Sequence, residues 1–226
     1  MSPRVPVITV DGPSGVGKGM VTRGLVRRLG WHRLDSGALY RLLALAATAR
    51  QIPLTDVDAV AALAPVLEIR FDEHDDAECI VLDGKDCTRE VREERTGGMA
   101  SQIATAPSVR AALVARQQAF RQAPGLVADG RDMGTVIFPD ADLKLFIDAS
   151  PEARAERRLR QLRAQGSTAI LADLRADIAE RDRRDRDRAH APLRPAEDAV
   201  VIDTTRLTPD QVMAEVESLL NARRLR

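Results

Sequence analysis

Residues 5–18 decide how this chain folds, and they read VPVITVDGPSGVGK. The apolar run at the start is typical of a buried strand, and it stops at a glycine-rich loop that a helical pattern follows. Gly12, Gly17 and Lys18 have the Gly-x-x-x-x-Gly-Lys spacing of a phosphate-binding loop. Because glycine tolerates positive φ, the backbone can wrap an anion with its N–H groups and with the positive end of the helix. The stretch therefore predicts a nucleotide phosphate-binding loop in which Lys18 reaches the β- and γ-phosphates.

The residue after Lys18 departs from the usual loop. Gly19 stands where Ser or Thr normally supplies a hydroxyl ligand to Mg²⁺. We therefore expect the metal to be held through waters and a carboxylate from elsewhere in the chain.

Composition and charge limit the classes of protein that this chain can represent. The 226 residues suit one domain with an insert or two small domains, and the apolar content of 44% supports a real core. The formal net charge is zero, so general binding to nucleic acid or to a membrane surface is not expected. The two cysteines belong to no Cys/His cluster, which disfavours a structural zinc site. The sequence has no signal peptide pattern and no membrane-length apolar run, so we expect a cytoplasmic protein.

The other apolar runs predict an α/β fold. Four further strands are expected at residues 31–34, 125–129, 143–148 and 199–203, with helical patterns between them. Strands that alternate with helices favour a doubly wound fold around a parallel sheet.

One segment breaks this alternation. Residues 67–71 and 79–82 have strand patterns, Asp83-Gly84 is a hairpin turn pattern, and the chain then returns over residues 85–88. We expect a small antiparallel β-meander inserted at about residues 64–92. A two-residue turn would make Ile80 face Cys87 and point Cys79 to the other side, so no disulfide is expected.

Polar residues follow two of the predicted parallel strands, where ligands collect in folds of this kind. Ser36 and Arg41 follow the second strand, although alone Ser36 fits a helix N-cap and Arg41 a solvated charge. Asp129 and Asp132 bracket Gly130-Arg131 at the end of the third. A carboxylate there suits a Mg²⁺ shell beside a phosphate loop, and a capping or turn aspartate is the alternative.

Two helices nearer the C-terminus are rich in arginine. Five arginines lie within residues 154–163, and in the next helix Arg181, Asp185 and Arg188 share one face. Most of these side chains fit a solvated helix with surface ion pairs. A subset that faces the phosphate loop would be sufficient for catalysis.

Together these motifs resemble those of the bacterial cytidylate kinases, which are P-loop nucleoside-monophosphate kinases. The likeness runs over nearly the whole chain and is carried by GPSGVGKG at 12–19, LDSGALYR at 34–41, DGRDMGT at 129–135, and ERD and DRDR within 180–188. The stretch at 129–135 is far more specific than the phosphate loop.

The resemblance implies an architecture and an activity. It implies a P-loop NTPase-type three-layer α/β fold with a five-stranded parallel sheet, the inserted meander, and one kinase domain over residues 1–226. Within that domain it implies a monophosphate-binding region at about 35–110 and a short arginine-rich LID at about 152–168. The activity implied is the ATP-dependent phosphorylation of CMP and dCMP, with Mg²⁺ as the cofactor.

The resemblance also assigns roles to individual residues. The ATP-binding residues would be Gly12, Pro13, Ser14, Gly15, Val16, Gly17, Lys18, Gly19 and Met20. CMP would be bound at its phosphate and sugar by Ser36, Arg41, Arg131, Arg181, Asp185 and Arg188, and at cytosine by Ser101, Arg110 and Asp132. The catalytic set would be Lys18, Arg131, Arg157, Arg158 and Arg188, with Asp129 holding the metal through water. By composition alone, Ser101 and Arg110 would be surface residues.

One departure from the family affects the donor site. The family usually has Thr where this chain has Met20, so a hydroxyl that could contact the α-phosphate of the donor is absent.

In the implied reaction the acceptor is a phosphate oxygen of CMP that is already ionised, so no general base is needed. The reaction then depends on positioning and on charge neutralisation.

Three alternatives remain open from the sequence. Another kinase of this fold could act on UMP, AMP or shikimate, but the meander and residues 129–135 favour CMP. A nucleotide-dependent switch usually carries an Asn-Lys-x-Asp motif, which this sequence lacks. An RNA-binding module is disfavoured because aspartates interrupt the arginine helices and aromatic residues are scarce there. We expect a monomer that binds ATP and CMP or dCMP, and neither nucleic acid nor membrane.

Overall fold

The computed structural model describes residues 4–74, 77–164, 166 and 168–225, so Gln165 and Ser167 of the predicted LID lie outside the described residues. In chain order its elements are β1 (Val7–Asp11), α1 (Lys18–Leu29), β2 (His32–Asp35), α2 (Ser36–Ala49), α3 (Val57–Leu63), β3 (Ile69–His74), β4 (Ala77–Leu82), β5 (Lys85–Asp86), α4 (Thr88–Arg92), α5 (Glu94–Ile103), α6 (Pro107–Gln118), β6 (Leu126–Gly130), β7 (Leu143–Asp148), α7 (Pro151–Ala164), α8 (Leu171–Arg186), β8 (Val200–Asp203) and α9 (Pro209–Arg223). A single π-helical turn, Met133–Ile137, lies between β6 and β7. These elements form two compact units, one containing the chain up to Leu34 and from Gln118 onward, the other Asp35–Gln117.

A five-stranded parallel sheet forms the centre of the first unit. Its strand order is β2–β6–β1–β7–β8, which confirms the predicted α/β fold and all five predicted strands. The central strands β1 and β7 are aliphatic and buried, as Ile8, Val10 and Ile147 illustrate with 0% exposure. In the parallel register Val10 lies opposite Asp129 and Asp11 opposite Gly130. The carboxyl ends of β1 and β6 therefore bring the phosphate loop and the stretch at 129–135 side by side.

Helix α1 begins and ends at glycines. Gly17 precedes the helix with φ of 99°, and Gly30 follows it with φ of 66° and donates its N–H to the Val26 carbonyl. The helix begins at Lys18, because the loop keeps its left-handed geometry up to Gly17. The lysine therefore belongs to the first helical turn, where the helix dipole is positive.

The second unit contains helices α2 to α6 and a small antiparallel sheet. That sheet has the strand order β3–β4–β5, which confirms the inserted meander. Asp83 and Gly84 form its turn with φ of 49° and 81°. The Cys87 N–H donates to the Ile80 carbonyl at 2.8 Å, as the predicted register requires, and both cysteines are free thiols.

The N-cap of α2 differs from the one that the sequence suggested. Asp35 and not Ser36 caps α2, with its carboxylate accepting from the Ala38 N–H at 2.9 Å. Asp56 caps α3 in the same way, from the Ala59 N–H at 3.1 Å. A carboxylate competes well with a hydroxyl for these N–H groups, which leaves Ser36 available for a buried contact.

Among the described residues, no helix combines the length and the apolar character needed to cross a bilayer.

Candidate active site

The phosphate loop is shaped by three glycines with positive φ: Gly12, Gly15 and Gly17, at 148°, 80° and 99°. Gly12 is required by space as well as by conformation. A Cβ at that position would lie 2.0 Å from the Ile147 carbonyl oxygen on β7. The close approach of the loop to β7 is possible because glycine has no side chain.

Lys18 lies buried across this loop, with 7% of its surface exposed. Its Nζ donates to the carbonyl oxygens of Gly12 and Pro13, at 2.8 Å each, and lies 4.0 Å from Asp129 Oδ1. Burial, with a further contribution from Arg131, lowers the pKa of Lys18. An anion bound in the loop would stabilise the charged lysine and replace the water that it loses by burial.

Asp11, at the end of β1, is a buried acid that the sequence analysis did not identify as a site residue. Its carboxylate accepts from the N–H groups of Met133 and Gly134 at 2.9 and 2.8 Å. Burial nevertheless raises the pKa of Asp11 to about 7. These two hydrogen bonds tie the phosphate-loop strand to the π-helical turn after β6. The position of Asp11 at the end of a predicted buried strand was the one feature of the sequence that could have identified it as a site residue.

Asp129 is the carboxylate that fits a magnesium ion. It is largely buried at the end of β6, close to Lys18. Within the described ranges, no three His, Cys, Asp or Glu side chains cluster as a metal cage would require. This donor set suits Mg²⁺, which keeps several waters and is usually bound by one or two carboxylates together with substrate phosphates.

Arg131, Asp185 and Arg188 form one largely buried cluster in the first unit. Arg131 Nε donates to Asp185 Oδ2 at 2.8 Å, and Arg188 Nη2 lies 3.8 Å from Asp185 Oδ1. Burial alone would raise the pKa of Asp185, but Arg131 and Arg188 outweigh it and lower the pKa. Arg181 also lowers it, so three arginines share this carboxylate. The cluster has a surplus of positive charge and suits the binding of a phosphate.

The arginines of α7 occupy different environments. Arg157 is held by Thr204, donating to its hydroxyl at 3.0 Å and to its carbonyl oxygen. Arg158 donates to Gln161 at 2.8 Å. Arg154, which the sequence placed in the LID, is fully buried against the phosphate loop.

In the second unit, Ser36 is buried and paired with a residue that sequence reasoning missed. Its hydroxyl donates to Gln117 Oε1 at 2.7 Å, and Gln117 in turn donates to the Leu113 carbonyl at 3.3 Å. Gln117 is 1% exposed. The contact joins residues 81 positions apart, so no local pattern could have predicted it.

Arg41 anchors the segment between α4 and α5. Its Nη1 donates to the carbonyl oxygens of Val91 and Glu93, at 2.7 and 3.0 Å. The neighbouring Arg92 pairs with Asp35 at 3.0 Å, at the start of the helix that carries Arg41. Arg92 is a further basic residue of this region, and unlike Arg41 it was not predicted as a site residue.

Ser101 and Arg110 are not surface residues, which corrects the expectation from composition. Arg110 is 8% exposed, lies 5.9 Å from the centre of the Tyr40 ring and donates to the Ala104 carbonyl at 3.4 Å. The Ser101 hydroxyl is buried without a hydrogen-bond partner in the described part of the chain. The two residues lie on α5 and α6, whose apolar side chains share a core cluster with those of α2. A buried, unsatisfied hydroxyl is uncommon and suits a group that a ligand completes.

Two hydroxyl groups near the phosphate loop differ in their hydrogen bonding. The Ser14 hydroxyl is buried and unpaired among the described residues, whereas Thr22 donates to the Lys18 carbonyl at 3.0 Å. Met20 packs with the apolar core cluster around β1 and α1. Neither Met20 nor Thr22 therefore replaces the hydroxyl that the family usually has after Lys-Gly.

Asp132, the predicted cytosine acceptor, is 3% exposed at the start of the π-helical turn. The first unit thus brings together the loop, Lys18, Asp129 and the Arg131–Asp185–Arg188 cluster, and the second unit holds Ser36, Arg41, Ser101 and Arg110.

Comparison with known proteins gives one consistent family. A model of the family described as cytidylate kinase matches residues 8–222. The cytidylate kinase of Sodalis glossinidius (strain morsitans) is 52% identical over 220 residues, which cover 97% of this chain and 96% of that protein. The cytidylate kinases of Bordetella bronchiseptica and Stutzerimonas stutzeri are 55% and 54% identical, over 93% and 95% of this chain and 93% and 94% of their own lengths.

Proposed function

The chain belongs to the cytidylate kinase family, and from this premise we propose how its own residues carry out the reaction. It is a nucleoside-monophosphate kinase that transfers the γ-phosphoryl group of ATP to CMP or dCMP, giving ADP and CDP or dCDP. The observation that carries this function is the family match over residues 8–222, because it includes both the phosphate loop and the stretch at 129–135.

On the donor side, Lys18 and the N–H groups of residues 12–20 bind the phosphates of ATP. The two carbonyl contacts of Lys18 keep its ammonium group at the loop, where it exchanges them for β- and γ-phosphate oxygens. Asp129 would hold Mg²⁺ through water, and the ion would supply positive charge that offsets the charge of the phosphates.

On the acceptor side, arginines bind the phosphate of CMP. Arg131 and Arg188 lie in a cluster with one shared carboxylate, and their fork geometry suits a phosphate. Arg41 and Ser36, which belong to the second unit, are also assigned to the phosphate and sugar of CMP. Arg181 and Asp185 bind the ribose and phosphate. Because the acceptor oxygen is ionised at neutral pH, these side chains orient it and no base removes a proton.

Three side chains recognise the cytosine base, one as a hydrogen-bond acceptor and two as donors. Asp132 accepts from the cytosine amino group, and Arg110 and Ser101 donate to N3 and O2. The buried and unsatisfied hydroxyl of Ser101 supports this assignment, because a ligand acceptor would satisfy it.

Closure of the part of the LID that follows Arg154 brings Arg157 and Arg158 to the transferring group and excludes water that would hydrolyse ATP. Arg157 must then release Thr204. We assign residues 35–110 to monophosphate binding, within one kinase domain. The protein acts as a monomer in the cytoplasm and binds neither nucleic acid nor membrane.

The function is tested by an ADP-release assay with Mg-ATP and CMP, dCMP, UMP, AMP or GMP in parallel. CMP and dCMP should be phosphorylated fastest, and Lys18→Ala serves as the inactive control. A chain that prefers UMP or AMP at low substrate concentration would contradict the proposal in favour of the alternative acceptors.

A further inference from the structure

Arg154 is the largest side chain that the structure buries completely, with 0% exposure. It lies in the first turn of α7, in a helix whose other arginines are partly or fully exposed. A guanidinium that has lost all its water needs nearly complete hydrogen bonding, so such a group is costly to keep. The groups that Arg154 contacts therefore indicate its role in the protein.

The partners of Arg154 lie on the phosphate loop and on α8. Both terminal nitrogens donate to the carboxylate of Asp182, with Nη1 to Oδ1 at 3.0 Å, in a two-pronged ion pair. Nη1 also donates to the Ser14 carbonyl at 3.1 Å, and Nε donates to the Ala149 carbonyl at 3.1 Å. Asp182 is itself buried, with 6% exposure.

The loop also rests on the stem of this arginine. A Cβ added to Gly15 would lie 3.4 Å from the Cβ of Arg154, which is ordinary van der Waals contact. Because a trans peptide points its N–H opposite to its C=O, fixing the Ser14 oxygen aims the Gly15 N–H away from Arg154. The direction of that N–H matters in a loop whose amides bind phosphate.

Asp182 lies one helical turn before Asp185 on α8. Asp185 accepts from Arg131 at 2.8 Å, so the helix that anchors the loop through Arg154 also carries the carboxylate of the arginine cluster. One helix thus contacts both groups of phosphate-binding residues in the first unit.

We propose that the buried Arg154–Asp182 pair is a positioning element that fixes the Ser14 carbonyl, and through it the phosphate loop, against α8. The pair contacts the loop backbone and acts on the nucleotide through it. The inference rests on the proposed function in one respect, namely that the loop binds the phosphates of ATP and ADP.

The test is the affinity for ADP in the absence of CMP, measured by calorimetry on the full chain. Asp182→Asn removes the charge but keeps the size, and Arg154→Lys keeps the charge but loses the fork. We expect the Kd for ADP to rise roughly 10-fold in each, a change comparable with the loss of about one hydrogen bond. The KM for ATP should rise by a similar factor. The matched control is Arg183→Gln, which breaks an exposed ion pair with Glu180 on the same helix and should leave the Kd unchanged.

A purely structural role would lower the melting temperature of these variants and leave the ADP affinity of the folded protein unchanged, and that result would overturn the inference. A double variant, Arg154→Met with Asp182→Leu, replaces the pair by apolar side chains and should keep the fold. It should still bind ADP weakly, and wild-type affinity in it would also overturn the inference. A wild-type chain that binds ADP without phosphorylating CMP would overturn the proposed function alone.

Discussion

Asp185 on α8 accepts a 2.8 Å hydrogen bond from Nε of Arg131, 54 residues earlier in the chain. The same carboxylate lies beside Arg188 and Arg181. One buried acid therefore keeps several arginines together that would otherwise repel one another, and it prepares them for a phosphate.

Replacing Asp185 by Asn should destabilise the protein at neutral pH, because it leaves Arg131 and Arg188 facing each other without a counter-charge. We expect a loss of roughly 3 kcal/mol, at the low end for a broken buried pair because Arg131 is 22% exposed. Urea denaturation of the wild type and the variant measures the difference.

The pH dependence of that loss follows from the pKa of Asp185, which is lowered from 3.8 in the folded protein. A lowered pKa gives stability that is present above the unfolded value and is lost as the pH falls through the folded value. The gap between wild type and Asp185→Asn should therefore stay constant from pH 7 to about pH 5 and narrow below about pH 4. A gap that is unchanged at pH 3 would contradict the assigned ion pairs.

Lys18→Ala should reduce turnover by roughly 100-fold or more, as for the loss of one preorganised charge-stabilising donor. The variant should stay folded, because Lys18 is not part of the apolar core cluster around β1 and α1. Steady-state kinetics with CMP and thermal melting of the same sample measure both effects. Near-wild-type turnover in Lys18→Ala would exclude the proposed role of the loop.

Wild-type enzyme should prefer CMP to UMP by ~10-fold or more in kcat/KM, because uracil presents a carbonyl where cytosine has its amino donor. Asp132→Asn should narrow this ratio, since an amide can donate to that carbonyl. Competition assays at low substrate measure the ratio, with Glu180→Gln on the exposed face of α8 as a control. Equal use of CMP and UMP by the wild type would refute the role given to Asp132.

Ser101→Ala should raise the KM for CMP by roughly 3- to 10-fold, because one hydrogen bond to the base is lost. Its melting temperature should stay the same or rise, since the hydroxyl has no protein partner among the described residues. Thr9→Val is the matched control: the Thr9 hydroxyl is likewise buried and unpaired in the described part of the chain, but it has no assigned contact with CMP. If Thr9→Val and Ser101→Ala change the KM equally, the Ser101 effect is indirect.

Residue spacing was sufficient to predict the framework of this protein. The five parallel strands and the meander with its Asp83-Gly84 turn were predicted because each depends on neighbouring residues. The corrections concern choices between similar residues. Asp35 and Ser36 both suit an N-cap, and the buried contact of Ser36 with Gln117 decided between them.

By itself, the sequence determined where a phosphate loop lies, which strands form the sheet, and which family the chain resembles, because these depend on local periodicity and on short motifs. The tertiary structure decided which charged and polar groups are buried and with whom they pair. Arg154 and Arg183 look alike in an arginine-rich sequence, yet one is sealed between the loop and Asp182 and the other is exposed. Burial depends on packing between residues far apart in the chain, and the surrounding side chains then decide whether a charge is solvated, paired or available to a ligand.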